Sequence, residues 1–222
     1  MPQPSLSRLA LSRRQFAVLA AAAAAIGPSR ALAAPPAPET TTNMEELLKP
    51  GALPELFYGD ANAPVAFIEY GSLTCPHCAK FAADVLPKLK TEYFDTGKVK
   101  MIFREYVRNP LDGAAFALAR CIGDDKALAA IDLLFKEQDK WAFDAKQPEP
   151  LLTAMRPAGL AHDKGMACLT DQKLLDGLVS IRDRVNKAFN FTGTPTFVID
   201  GKVYSGEMPL EDFEALLNPL IK

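Results

Sequence analysis

The hydrophobic pattern along the chain changes period in a definite order. Val65-Ala66-Phe67-Ile68-Glu69-Tyr70 is nearly continuous in apolar side chains, which suits a strand covered on both faces. Gly71 to Thr74 read as a short loop. Apolar residues then recur every four positions, at Phe81, Val85, Leu89 and Tyr93, so one face of a helix is buried. That helix starts at Cys75-Pro76, because a proline at the first helical position gives up only an N–H with no intrahelical partner. Pro87 predicts a kink within the helix, and Gly97 ends it. Val99 to Phe103 is a second strand. Strand, helix and strand make a crossover unit, right-handed with parallel strands.

From Asn109 to about Asn190 only helical periods remain, with cores at Ala114–Cys121, Ala127–Trp141, Pro150–Met155 and Leu174–Phe189. Strand character returns at Thr196–Ile199. Asp200-Gly201 is a hairpin signal, and Lys202 to Tyr204 form the returning strand. A last helix from Pro209 has Phe213, Leu216, Leu217 and Leu220 on its apolar face. No internal repeat is visible. The expected fold class is α/β, with residues 63–108 and 190–222 forming one unit and 109–189 an all-helical insertion.

Residues 34–62 read as a flexible lead-in and a short amino-terminal segment. APPAPETTTN opens it, Met44 to Leu48 suit one helical turn, and Asp60 to Pro64 suit a turn. Residues 1–33 carry the marks of a cleavable export signal. Ser12-Arg13-Arg14-Gln15-Phe16 precedes an apolar run of 11 residues, Phe16 to Ile26, and Ala31-Leu32-Ala33 has a small-x-small cleavage pattern. The arginine pair resembles a twin-arginine signal; an ordinary secretory signal is the alternative.

Composition sharpens this picture. The chain has 222 residues, a net charge of −2, 49% hydrophobic and 23% charged residues, which is a globular balance. The first 33 residues hold four arginines and no acid, so the rest carries −6. An acidic chain without a basic run is a poor nucleic-acid binder. Only two histidines, His77 and His162, are present, which argues against a His-rich metal site. His162 reads as solvated and Trp141 as packing. Four cysteines remain, and export would place them where disulfides persist.

Cys75-Pro76-His77-Cys78 is the strongest chemical feature, because it sits after a strand and at a helix start. The nucleophile in thiol–disulfide exchange is the thiolate. A helix N-terminus stabilises an anion through its unpaired N–H groups and partial positive charge. Cys75 is therefore expected to be the attacking thiol and Cys78, one turn later, the resolving one. His77 could donate to the Cys75 sulfur or carry a positive charge near it. On the residues alone, half a zinc site, a short structural disulfide and copper handling stay open. A second CxxC is absent, and Cys121 and Cys168 are not spaced as metal ligands. Glu69 interrupts the apolar strand. Buried, it would need a partner or a proton, and its pKa would rise. The alternative is that it points out of a half-exposed strand.

Together, Cys75-Pro76-His77-Cys78 between strand and helix, the helical insertion, and Thr194-Pro195 before a hairpin resemble the DsbA family of thioredoxin-fold proteins, in particular its alphaproteobacterial branch. The resemblance implies a thioredoxin-like fold and a thiol:disulfide oxidoreductase. Its redox group would be the Cys75–Cys78 disulfide, with neither metal nor external cofactor. It implies a cis Pro195 against that disulfide, with Thr194 pairing main chain with substrate, and Glu69 beneath Cys78 assisting proton transfer. It also implies a second disulfide, Cys121–Cys168; a pair of inert thiols is the alternative. If bonded, their 48-residue loop would contribute about 4 kcal/mol. Implied partners are reduced exported proteins and a DsbB-type membrane reoxidase, in the periplasm, with the protein a monomer. Thr194 is the residue of the isomerase branch, where the familiar oxidases have Val, so an isomerase or reductase is the second reading.

Overall fold

The computed structural model describes residues 35–221, so the export signal expected in residues 1–33 lies outside the described residues. Six strands form one sheet in the order β1-β6-β5-β3-β4-β2. They are β1 (Thr40–Thr41), β2 (Leu56–Tyr58), β3 (Val65–Gly71), β4 (Val99–Glu105), β5 (Thr196–Ile199) and β6 (Lys202–Ser205). β3 and β4 run parallel, Val65 beside Val99 and Glu69 beside Phe103. β5 and β6 are antiparallel to their neighbours. Asp200 and Gly201, at φ 50° and 72°, make the hairpin between them, since Asp tolerates and Gly favours the left-handed region.

The crossover helix is α2 (Pro76–Asp84). It breaks at Val85 and resumes as α3 (Leu86–Leu89) and a π-helical turn, Lys90–Phe94. Pro87 causes the break, because its ring cannot supply the N–H that would continue the ladder. The insertion is six helices: α4 (Pro110–Cys121), α5 (Asp124–Lys136), α6 (Gln138–Trp141), α7 (Glu149–Met155), α8 (His162–Cys168) and α9 (Gln172–Ala188). The expected helix Ala127–Trp141 is thus two, separated at Glu137. α8 has no counterpart in the hydrophobic pattern, because only its Gly165 is buried. α10 (Leu210–Leu217) closes the fold.

Both sheet faces are covered. Phe67, Met101, Phe197 and Ile199 pack with Phe81 of α2 and Phe213 of α10. Ile68, Tyr70, Ile102 and Val198 face Leu47 of α1 (Met44–Leu48) and Val185 of α9. The amino-terminal segment departs from the expected flexible lead-in. Its Thr40 pairs with Val203 and its Leu56 with Phe103, as the two edges of the sheet. Buried arginines fix it further: Arg104 donates to Leu47 O at 2.8 Å, and Arg120 to Pro54 O at 2.9 Å. Arg120 also makes a buried pair with Glu105 at 2.6 Å.

Candidate active site

Cys75 is the N-cap of α2, in extended backbone at φ −94° and ψ 119°, so its sulfur sits over the first turn of the helix. Cys75 and Cys78 are both free and both buried. Their thiols are driven apart. Hydrogen bonding from Cys78 is the largest influence on Cys75; with the backbone N–H groups of Cys78 and His77 it outweighs burial and lowers the pKa to about 5. Cys78 moves the other way, raised well above an ordinary thiol by burial, by its hydrogen bond to Cys75 and by the nearby Glu69. One thiol is therefore a thiolate at neutral pH, and the other keeps its proton.

Thr194 and Pro195 meet this pair from the far end of the sequence. The Thr194–Pro195 bond is cis. Cys75 Sγ lies 3.2 Å from the Thr194 carbonyl oxygen. Glu69 is buried on β3 at 2% exposure, which excludes the half-exposed reading of that strand. Its Oε1 has no hydrogen-bond partner among the described residues, and burial first, then Asp132 and Cys75, raise its pKa well above the carboxylate range. Glu69 is near enough to Cys78 to raise the pKa of that thiol further. Gly71 makes room here: a Cβ on it would stand 2.6 Å from the Phe103 ring and 3.2 Å from Glu69 Oε1.

His77 differs from expectation. Its Nδ1 is 2.6 Å from Glu207 Oε1, and the hydrogen bond reaching Cys75 from this residue is the backbone N–H. Glu207 also accepts from Lys80 at 2.8 Å, and Lys80 then His77 hold its carboxyl below the usual range. The ring is therefore committed to an exposed cluster beside α2.

Two buried polar residues of the insertion, which the sequence did not single out, hold the loop before Cys75. Asp112 accepts from Thr74 N at 2.9 Å, Arg108 N at 3.0 Å and Ser72 Oγ at 3.0 Å. Gln138 Nε2 donates to Leu73 O at 2.7 Å and Cys75 O at 3.1 Å. Gln138 falls between Phe135 and Trp141 at helical spacing, and a polar residue on an apolar stripe was the available signal.

Cys121 and Cys168 are bonded, with Cα atoms 6.1 Å apart, and tie α4 to α8 far from the reactive pair in sequence. His162 is exposed beside Glu149 and Asp163, at 3.2 and 3.3 Å. Trp141 is fully buried and donates to Leu134 O at 2.9 Å.

Comparison with known proteins agrees with this architecture. A Rickettsia bellii protein provisionally named a protein-disulfide oxidoreductase is 34% identical over 148 residues, 66% of this chain and 57% of the relative. The chain thus spans little more than half the length of that relative. Disulfide bond formation protein D of Bacillus subtilis is 26% identical over 179 residues, 74% of this chain and 76% of that protein. The crystal structure of Wolbachia pipientis alpha-DsbA1 is similar at a TM-score of 0.72 and 29% identity, covering 80% of this chain and 96% of its own. Oxidised BdbD of Bacillus subtilis, at 21% identity and a TM-score of 0.63, shares the fold over 83% of this chain and 96% of its own. The family model described as thioredoxin matches residues 52–219, so the chain belongs to the thioredoxin family and carries a DsbA-like helical insertion.

Proposed function

We propose that this chain is an exported thiol:disulfide oxidoreductase, acting in the periplasm as a dithiol oxidase on newly exported proteins. The observation that carries this reading is the opposed titration of Cys75 and Cys78 at the start of α2. A stabilised thiolate stabilises the reduced protein, so the Cys75–Cys78 disulfide is more oxidising. The names of the relatives in Rickettsia and Bacillus support the same chemistry.

In the proposed cycle a client thiolate attacks Cys75 Sγ of the disulfide. The client–Cys75 bond forms, the Cys75–Cys78 bond breaks, and Cys78 leaves with the electron pair. Glu69 supplies the proton that the buried Cys78 sulfur requires. The second client thiol then ionises and attacks the client sulfur of the mixed disulfide. Cys75 leaves as the thiolate, which its low pKa favours. The client is oxidised by two electrons and the protein is reduced. A DsbB-type membrane reoxidase would restore the disulfide, and the protein would work as a monomer.

Replacing Cys78 with Ala tests the reading. The variant should accumulate covalent, dithiothreitol-sensitive adducts with exported proteins through Cys75. Absence of such adducts would contradict it. Thr194 favours disulfide isomerisation as a second reading, and efficient unscrambling of a mispaired substrate by the reduced protein would establish that instead.

A further inference from the structure

The groove in front of Cys75, with a volume of 590 Å³, is lined by Cys75 and Thr194, whose sulfur and carbonyl oxygen are 3.2 Å apart. Tyr106 and Phe191 stack within its wall, with ring centroids 4.0 Å apart. Arg108 and Arg182 also line it, and among the described residues that do so none is acidic. This is unusual for the chain, because residues 34–222 carry a net −6. Arg108 is exposed, and its hydrogen bond within the fold is made by its backbone N–H to Asp112, which leaves the guanidinium to the groove. Arg182 pairs with its neighbour Asp183 at 2.9 Å, a half-exposed contact that is weak in water and readily exchanged. His77, on the same rim, is bonded to Glu207.

We infer that the groove selects client segments with an acidic side chain beside the reacting cysteine. This rests on the proposed exchange activity and names its substrate class. An extended client laid along Thr194 turns side chains two positions from its cysteine to the same face, about 6 to 7 Å along the strand. An Asp or Glu there meets Arg108 or Arg182 while the client sulfur meets Cys75 Sγ. A lysine there meets the same arginines and is repelled. The acid takes no part in the chemistry: the client–Cys75 bond forms as the Cys75–Cys78 bond breaks, and the oxidant is that disulfide. Charge contributes mainly to the rate of encounter and to the choice among clients.

The test uses the full chain with its Cys75–Cys78 disulfide formed, and two dithiol peptides that differ only in Asp or Asn two positions from the first cysteine. Each oxidation rate is divided by the peptide's rate with a small aromatic disulfide, which removes the effect of Asp on the peptide's own thiol. The Asp peptide should be favoured about fivefold at low ionic strength, falling toward one in high salt. Arg108→Glu with Arg182→Glu should reverse the preference, and the milder Arg108→Gln with Arg182→Gln should bring the ratio to about one. Equal rates for the two peptides, or a preference that survives in both double variants, would overturn the inference and leave the exchange activity standing. If neither peptide is oxidised, the proposed activity itself fails.

Discussion

Cys75 Sγ and the carbonyl oxygen of Thr194 lie 3.2 Å apart although 119 residues separate them. The contact joins the start of α2 to the loop ahead of β5, across the whole insertion. Anything that shifts the loop holding Cys75 against β5 alters the environment of the reactive sulfur.

The depressed Cys75 pKa makes a direct prediction about pH. Between about 5 and the ordinary thiol range, the unfolded chain holds a proton that the native reduced protein has released. Stability of the reduced form from this group therefore rises with pH across that window and is lost as pH falls through about 5. The oxidised form has no thiolate, so the Tm of the reduced protein should rise relative to that of the oxidised protein as pH increases. Thermal scans of both forms from acid to neutral pH check this; a constant difference would contradict it.

Glu69 acts in the opposite sense. Its raised pKa means that the native protein keeps a proton which the unfolded chain gives up. Its burial therefore costs stability increasingly as pH rises above the ordinary carboxylate range. Glu69→Gln should stabilise the protein at neutral pH, by about 1.4 kcal/mol for each pKa unit by which Glu69 is raised. The same variant should slow client oxidation by about 100-fold, since Cys78 loses its proton source. Urea denaturation and single-turnover kinetics measure the two effects, which have opposite signs.

Gln138 holds two carbonyls of the Leu73–Cys75 loop. Gln138→Leu leaves the Leu73 carbonyl without its partner, while Cys75 O keeps the bond from Ala79 N at 3.2 Å, and should cost about 1 to 3 kcal/mol of stability. It should also move the Cys75 titration midpoint, followed by thiolate absorbance at 240 nm. Loss of stability with an unmoved midpoint would reduce Gln138 to a packing role.

The Cys121–Cys168 bond closes its loop at a sequence separation of 47. Replacing both cysteines with Ala should destabilise the protein by about 4 kcal/mol at most, measured by urea denaturation. The active-site reduction potential should not change, because the bond joins α4 to α8 within the insertion whereas the reactive pair sits at the start of α2. A shifted potential would assign the bond a tuning role.

Much of this site was legible in sequence, for local reasons. The motif, the strand before it and the Asp200-Gly201 hairpin each lie within a few residues, and their patterns are set by backbone geometry. The apolar run around Glu69 indicated burial of a carboxylate. The edge strands β1 and β2 were not legible, since each is two or three residues long and is a strand only through its distant partner. α8 was missed because its burial comes from Gly165 packed tightly against Leu152, leaving no apolar stripe. Closeness in sequence points the His77 ring at Cys75, whereas its partner Glu207 lies 130 residues away. Asp112 and Gln138 carry little local signal, because a polar residue on a helix is ordinarily solvated and only the docking of the insertion buries these two.

The reduction potential of the Cys75–Cys78 couple tests the central claim most directly. The stabilised Cys75 thiolate predicts a couple clearly more oxidising than the glutathione pool, in the direction of about −120 mV. A couple as reducing as about −270 mV, the range of a cytosolic thioredoxin, would contradict the assignment as a dithiol oxidase.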